Sequence, residues 1–295
     1  MKFERFCDHI HVLRTPFGAV TSAVTLVEGK EGCTLIDSGA NDETVRSCIL
    51  PALREFGADG RDMRRLLCTH THGDHIGGHF MLKQLFPDME IVVTERQAPK
   101  VADPLLYNIR IRSVYPAYSA PPSYGLRGVA ADRVLMEGER VAGLVSVPAA
   151  GHDDDCVGWL HEASGTLISG DALQGGGTET QGIALYFDLD AYRKTLERME
   201  KIGAERILAA HDFRLAGAQA ESSAACRAYI DCCRAVTEEY DRILHEIGNT
   251  DTPKAAEILI ERTGGKMPEY LFLAMYTVDA HYSSANMKRK EKVLQ

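Results

Sequence analysis

The chain has 295 residues, 45% hydrophobic and 25% charged, the profile of an ordinary globular protein and far from that of a disordered or fibrous one. That length suits one large core plus an appended segment better than two average domains. A net charge of -9 excludes nucleic acid as an expected partner, because affinity for a phosphate backbone rests on basic stripes that release counterions.

The one dense basic run, Lys288, Arg289, Lys290 and Lys292, reads as a solvated helix end. Residues 1–14 mix Lys2, Glu4, Arg5 and Asp8 with His9 and His11, so the uninterrupted apolar stretch of a signal peptide is missing. No window approaches the roughly 20 apolar residues that span a bilayer. A cytoplasmic setting without a membrane partner is therefore expected. The eight cysteines, none in CxxC spacing, are expected as reduced thiols, Cys232 and Cys233 included.

Along the chain, strands are expected at residues 11–13, 23–28 and 33–36, the last two joined by the turn Gly29-Lys30-Glu31-Gly32. A helix over 41–56 starts at the cap Asn41, is kinked or restarted by Pro51, and closes at Gly57. A strand at 66–68 runs into Thr69-His70-Thr71-His72-Gly73-Asp74-His75, after which helical periodicity resumes over 76–86. The seven-residue motif thus occupies a strand-to-helix corner, and a further strand follows at 91–94.

Residues 98–127 change character, with Pro99, Pro104, Pro116, Pro121 and Pro122 set among Tyr107, Tyr115, Tyr118 and Tyr124. The segment reads either as a substrate-covering insertion or as a surface loop pinned by its own aromatics. Strands return at 133–136, 141–147, 157–161 and 166–169. An amphipathic helix over 189–202 precedes a short strand at 207–209 that ends at His211. From Leu215 onward the pattern is wholly helical, with Cys226, Ile230, Cys233, Tyr240, Ile243, Leu244 and Ile247 at steps of three and four. A second helix over 252–263 stops at Gly264-Gly265, and a third begins near Pro268. The expected division is a catalytic domain over 1–214 and a helical extension over 215–295.

At a strand end, residues two apart point to one side, so His70 and His72 can reach one ion. Gly73 lets the chain turn, and Asp74 with His75 falls in or before the first helical turn, aimed at neighbouring space. One corner can feed two metals. A lone histidine is usually a packed or exposed residue, but three histidines and an aspartate within six residues reverse those odds. Further ligands have suitable settings at His152, Asp171 and His211, each after an apolar strand and a small residue. Imidazole and carboxylate together suit zinc, iron or manganese and do not choose among them.

This set resembles the metallo-β-lactamase superfamily, whose HxHxDH motif is matched by His70, His72, Asp74 and His75 and whose later His, Asp and His are matched by His152, Asp171 and His211. Leu35-Ile36-Asp37-Ser38-Gly39 looks like the family's first motif, and the likeness spans residues 10–212. The ligand set looks closer to glyoxalase II-like and lactonase-like hydrolases than to antibiotic-degrading relatives. The resemblance implies a four-layer αββα sandwich of the α/β (α+β) class with the metals at one edge, between the sheets, followed by C-terminal helices. It implies that His70, His72 and His152 hold one ion, that Asp74, His75 and His211 hold a second, and that Asp171 bridges. Two divalent ions are then the expected cofactors, zinc foremost, with iron or manganese as alternatives. Asp37 would support a ligand histidine, although satisfying turn amides explains that carboxylate equally well.

Two such cations lower the pKa of a shared water, so that hydroxide is available at neutral pH, and they polarise the substrate oxygen. Asp74 is the expected general base. The sequence departs from the family at Asp153-Asp154-Asp155, where many relatives carry Thr-Pro-Gly; solvated or turn-capping roles are favoured there over tuning a ligand. His79 and His161 lack the strand-end setting and are left out. The expected activity is hydrolysis of a small ester, thioester or lactone. The rivals are a mononuclear-iron oxidoreductase resembling persulfide dioxygenases, a phosphodiesterase or phosphonate hydrolase, and a non-catalytic scaffold, which the intact ligand set disfavours. The helical tail either caps the pocket or pairs subunits as a homodimer.

Overall fold

The computed structural model describes residues 1–58 and 62–284; the basic run at 288–292 lies outside them. Two sheets organise the chain. The first contains β1 (Glu4–Cys7), β2 (Ile10–Phe17), β3 (Val20–Gly29), β4 (Gly32–Ile36), β5 (Met63–Leu67), β6 (Glu90–Thr94) and β7 (Arg133–Leu135), paired in that order. The second contains β8 (Arg140–Val141), β9 (Leu144–Pro148), β10 (Val157–His161), β11 (Thr166–Gly170), β12 (Arg206–Phe213) and β13 (Gly217–Ala220), again in chain order across the sheet.

Pairs from β1 to β4 are antiparallel, whereas β4 to β7 run parallel, as do β11 and β12. Parallel neighbours need a crossover, and helices supply it. α1 (Asp42–Thr44) and α2 (Leu50–Phe56) link β4 to β5, α3 (Gly73–Ile76) and α4 (His79–Leu85) link β5 to β6, and α5 (Ala98–Ala102) and α6 (Pro104–Ser113) link β6 to β7. α7 (Leu189–Ile202) links β11 to β12, and α8 (Ser223–Ile247), α9 (Thr252–Arg262) and α10 (Phe272–Ser283) complete the helices.

Strand periodicity builds the layers, since successive side chains point to opposite faces. Val24, Leu26, Leu35, Leu66, Ile91 and Val93 pack outward with Ile49 and Leu53, while their neighbours Val27, Ile36, Leu67 and Val92 pack inward. The second sheet answers with Trp159, Ile168 and Leu208 in the same inner core, and sends Leu167, Ile207 and Ala209 outward to Leu196, Tyr240 and Leu259. The result is the αββα sandwich expected from the sequence, with α8 to α10 against the outer face of the second sheet.

Local departures from the expected elements have local causes. Ala142 and Gly143 both adopt positive φ, 52° and 81°, which makes a tight turn and splits the single strand expected at 141–147 into β8 and β9. Gly217–Ala220, read as the beginning of the helical tail, instead pairs at the sheet edge with β12. Its small residues carry no alternation, and edge pairing decides the conformation. Within 98–127, Pro99 and Pro104 stand in the first turns of α5 and α6, where a missing N–H costs nothing, so these prolines start helices. Asn41 caps α1 through Thr44 N–H at 2.9 Å, as expected. A wide π turn over Val45–Ile49 then carries the chain into α2, whose first turn contains Pro51. No helix among the described residues is long and apolar enough to cross a membrane.

Candidate metal centre

The corner after β5 is fixed by one buried carboxylate. Asp37, at φ 66°, accepts from the backbone N–H of Thr69 at 2.7 Å and from its hydroxyl at 2.8 Å, and its Oδ2 takes the Nδ1–H of His75 at 2.9 Å. Satisfying turn groups and orienting a histidine, weighed as alternatives from the sequence, are done by the same side chain. Gly170 explains the small residue before Asp171: at φ 54°, a Cβ there would lie 2.4 Å from the Thr69 Cβ. Gly151, before His152, is equally constrained, since its Cβ would meet the Tyr192 backbone at 2.5 Å.

All seven side chains selected from the sequence converge between the two sheets. Nitrogens of His70, His72 and His152 lie within 4.8 Å of one another; so do ligand atoms of Asp74, His75 and His211, and those of His70, His75 and Asp171. Asp171 stands between the two trios. Its Oδ2 is 3.6 Å from His152 Nε2, and its Oδ1 is 3.4 Å from His211 Nε2 and 3.7 Å from His75 Nε2. Asp74 Oδ2 lies 3.2 Å from His211 Nε2 and 3.3 Å from His75 Nε2.

The outer partners set the tautomers. His152 Nδ1 donates to the Leu185 carbonyl at 2.8 Å, and His211 Nδ1 donates to the Thr21 carbonyl at 2.7 Å, because a carbonyl can only accept. His72 uses Nε2 instead, donating to Asp153 Oδ2 at 3.1 Å. The inward nitrogens of His72 and His152 therefore carry lone pairs. His72 Nδ1 and His152 Nε2 face each other at 3.1 Å, and protonating His152 is disfavoured because burial, reinforced by His72, pulls its pKa down to about 3. His70 is likewise pushed well below the ordinary histidine value by burial and by the surrounding rings. Buried His70 Nε2, His75 Nε2 and Asp171 Oδ1 have no hydrogen-bond partner.

Converging lone pairs and carboxylate oxygens that donate to nothing are stable only around positive charge. Protons supply it in part: burial lowers the His211 pKa, but Asp171 and Asp74 outweigh that and lift it to about 10. Cations bound at the two trios would satisfy these three unpartnered atoms, so the donor set fits metal ions with nitrogen and oxygen ligands.

The three aspartates after His152 split, contrary to the solvated or turn-capping role favoured for them. Asp153 is buried and accepts from His72, from Lys100 Nζ at 2.9 Å and from the Tyr107 hydroxyl. Asp155 is buried and accepts from the Thr71 hydroxyl at 2.5 Å; burial, with Asp153 nearby, lifts its pKa to about 6. Only Asp154 is exposed, and it pairs with Lys100 at 2.6 Å. Lys100 thus lies within ion-pair reach of all three carboxylates. Nothing in the sequence marked Lys100, which sits in the proline-rich segment without a motif. His79 bonds Ser38 Oγ at 2.7 Å and His161 bonds Ser164 Oγ at 2.8 Å, so both stay outside the cluster.

A cleft of about 160 Å³ opens onto His72, Asp74, Asp171 and His211. α6 lines it with Tyr107, Asn108, Ile111 and Arg112, and α10 contributes Phe272 and Leu273. Both the 98–127 segment and α10 therefore line the cleft that opens onto the cluster.

The Metallo-beta-lactamase superfamily model matches residues 17–211. The chain is 29% identical over 189 residues to "Uncharacterized protein YobT" of Bacillus subtilis (strain 168), covering 62% of this chain and 76% of that protein. It is 26% identical over 181 residues to the atrochrysone carboxyl ACP thioesterase of Passalora fulva, covering 60% of this chain and 44% of that enzyme. In structure it resembles a metallo-beta-lactamase family protein from Thermus thermophilus, with a TM-score of 0.75 at 19% identity, over 98% of this chain and 95% of that one. With its matched region covering well over half of the 295 residues, the chain belongs to the metallo-beta-lactamase superfamily.

Proposed function

We propose that the protein is a binuclear metallohydrolase acting on a small ester, thioester or lactone. The observation that carries this reading is the convergence of two ligand-type trios on either side of Asp171, with His72, His152 and His211 oriented by bonds from their outer nitrogens. His70, His72 and His152 would hold one divalent ion, and Asp74, His75 and His211 a second, with zinc foremost. Ions bound there would supply Lewis acidity toward a substrate oxygen and a water acidified to near neutrality. Asp74, which lines the cleft, would hold an attacking water and accept its proton, the role of general base.

The cleft sets the substrate's scale. Its volume admits a short chain, and Phe17, Val20, Leu126 and Phe272 make its walls largely apolar, which favours an acyl group over a polymer. That one relative is named an ACP thioesterase supports the thioester within this class. A completed second trio favours hydrolysis over the single-iron oxidoreductase reading, which needs one ion only. Elemental analysis of the purified protein beside an ester, thioester, lactone and phosphodiester panel tests the proposal. Two equivalents of metal with acyl-bond turnover are expected; one iron with oxygen uptake would overturn it.

A further inference from the structure

The cleft beside the cluster has a cation without a counter-charge. Arg112 lies in the last turn of α6 and lines the same cleft as Asp74, Asp171 and His211. Its guanidinium sits over the Phe272 ring, 5.6 Å from the centroid. Among the described residues its one hydrogen bond is a long one, 3.4 Å from Nη1 to the Asn108 carbonyl of its own helix, and its buried Nε has no partner. Among the described residues no carboxylate pairs with it. Burial alone pulls its pKa down, with no acidic neighbour to restore it.

Other partly buried cations of this chain are better satisfied: Lys100 by the aspartate triplet, Arg193 by Asp241 at 2.5 Å, Arg14 by the carbonyl of Ala210 at 2.8 Å, and Arg214 by those of Gly182 at 2.9 Å and Thr263 at 2.8 Å. A guanidinium cannot shed its proton in a protein, so Arg112 keeps its charge in a largely apolar wall. The C-terminal dipole of α6 compensates only in part. Asn108, one turn earlier, has its Oδ1 occupied by the Ser123 N–H at 2.8 Å, which leaves its amide group as a second donor on this wall.

We infer that Arg112 anchors an anionic terminus of the substrate, a carboxylate or phosphate, while the scissile carbonyl lies at the His/Asp cluster. The fork of a guanidinium matches either group with two parallel hydrogen bonds. This assignment rests on the hydrolase reading for its substrate and narrows it to short acyl compounds that carry a negative charge away from the bond that breaks.

The test separates binding from turnover. Pentanoate, butyl phosphate and neutral pentanamide are titrated calorimetrically into metal-loaded wild type, Arg112→Met and Arg112→Lys. In wild type at least one anion should bind about tenfold more tightly than the amide, and the stronger anion identifies carboxylate or phosphate. That preference should fall about tenfold in Arg112→Met and return in part in Arg112→Lys. In parallel, the ratio of kcat/KM for a para-nitrophenyl monoester of adipic acid to that for para-nitrophenyl hexanoate should fall in Arg112→Met. Arg112-dependent anion binding without hydrolysis of either ester supports the anchor and refutes the hydrolase reading. Equal preference in wild type and Arg112→Met, or no preference in wild type, overturns the anchor whatever the turnover. Should Arg112→Met fail to fold, the wild-type preference and the lysine variant decide.

Discussion

Asp153 Oδ2 accepts the Nε2–H of His72 at 3.1 Å, and so decides which nitrogen of His72 faces the cluster. Lys100 at 2.9 Å and the Tyr107 hydroxyl hold that carboxylate in place, which ties His72 to α5 and α6. Carboxylates in this position behind a ligand histidine typically govern metal affinity by about 10–100-fold. Asp153→Ala should weaken metal binding by a factor in that range, read by competition with a chromogenic chelator. Unchanged affinity would remove Asp153 from the site.

Asp37 plays the corresponding part for His75, through its 2.9 Å contact with Nδ1. Since His75 belongs to one trio and His72 to the other, Asp37→Ala should weaken one ion selectively. At limiting metal the variant should bind close to one equivalent where wild type binds two. Equal loss of both ions would show that Asp37 serves the corner as a whole.

Asp74→Asn should keep the fold and lower turnover by on the order of 10²–10⁴, because an amide accepts no proton and is the poorer ligand. Circular dichroism and elemental analysis establish that the variant is folded and loaded. Wild-type turnover in a loaded variant would exclude Asp74 as general base.

Away from the cluster, buried His281 accepts from the Tyr186 hydroxyl at 2.7 Å and donates to Asp241 at 2.8 Å, stapling α10 to α8 and to the segment before α7. Burial holds its pKa below the ordinary histidine value. The unfolded chain therefore takes up this proton first on acidification, so the stabilisation is present above about pH 6.5 and is lost as pH falls below it. Between about pH 7.5 and 5, the melting temperature of wild type should fall more than that of His281→Gln. Parallel slopes would contradict this.

The seven converging side chains were legible because each carries a local signature: a dense His/Asp motif at a strand-to-helix corner, or a single His or Asp after an apolar strand and a small residue. The layers were legible from strand alternation, as with Ile36 inward beside Leu35 outward. What supports the ligands was not. Lys100 and Asp153 lie 53 residues apart, and their pairing exists only once α5 packs over the second sheet's loop. Arg112 reads as an ordinary helix-surface cation until the fold sets Phe272 beneath it. β13 was misread because Gly217-Ala218-Gln219-Ala220 has neither strand nor helix periodicity, and its conformation comes from β12.

The most direct test of the account is anomalous diffraction from crystals grown with an excess of zinc. Two peaks are predicted, one among His70, His72 and His152 and one among Asp74, His75 and His211, with Asp171 contacting both. Histidines pointing apart around a cleft without anomalous density would contradict it.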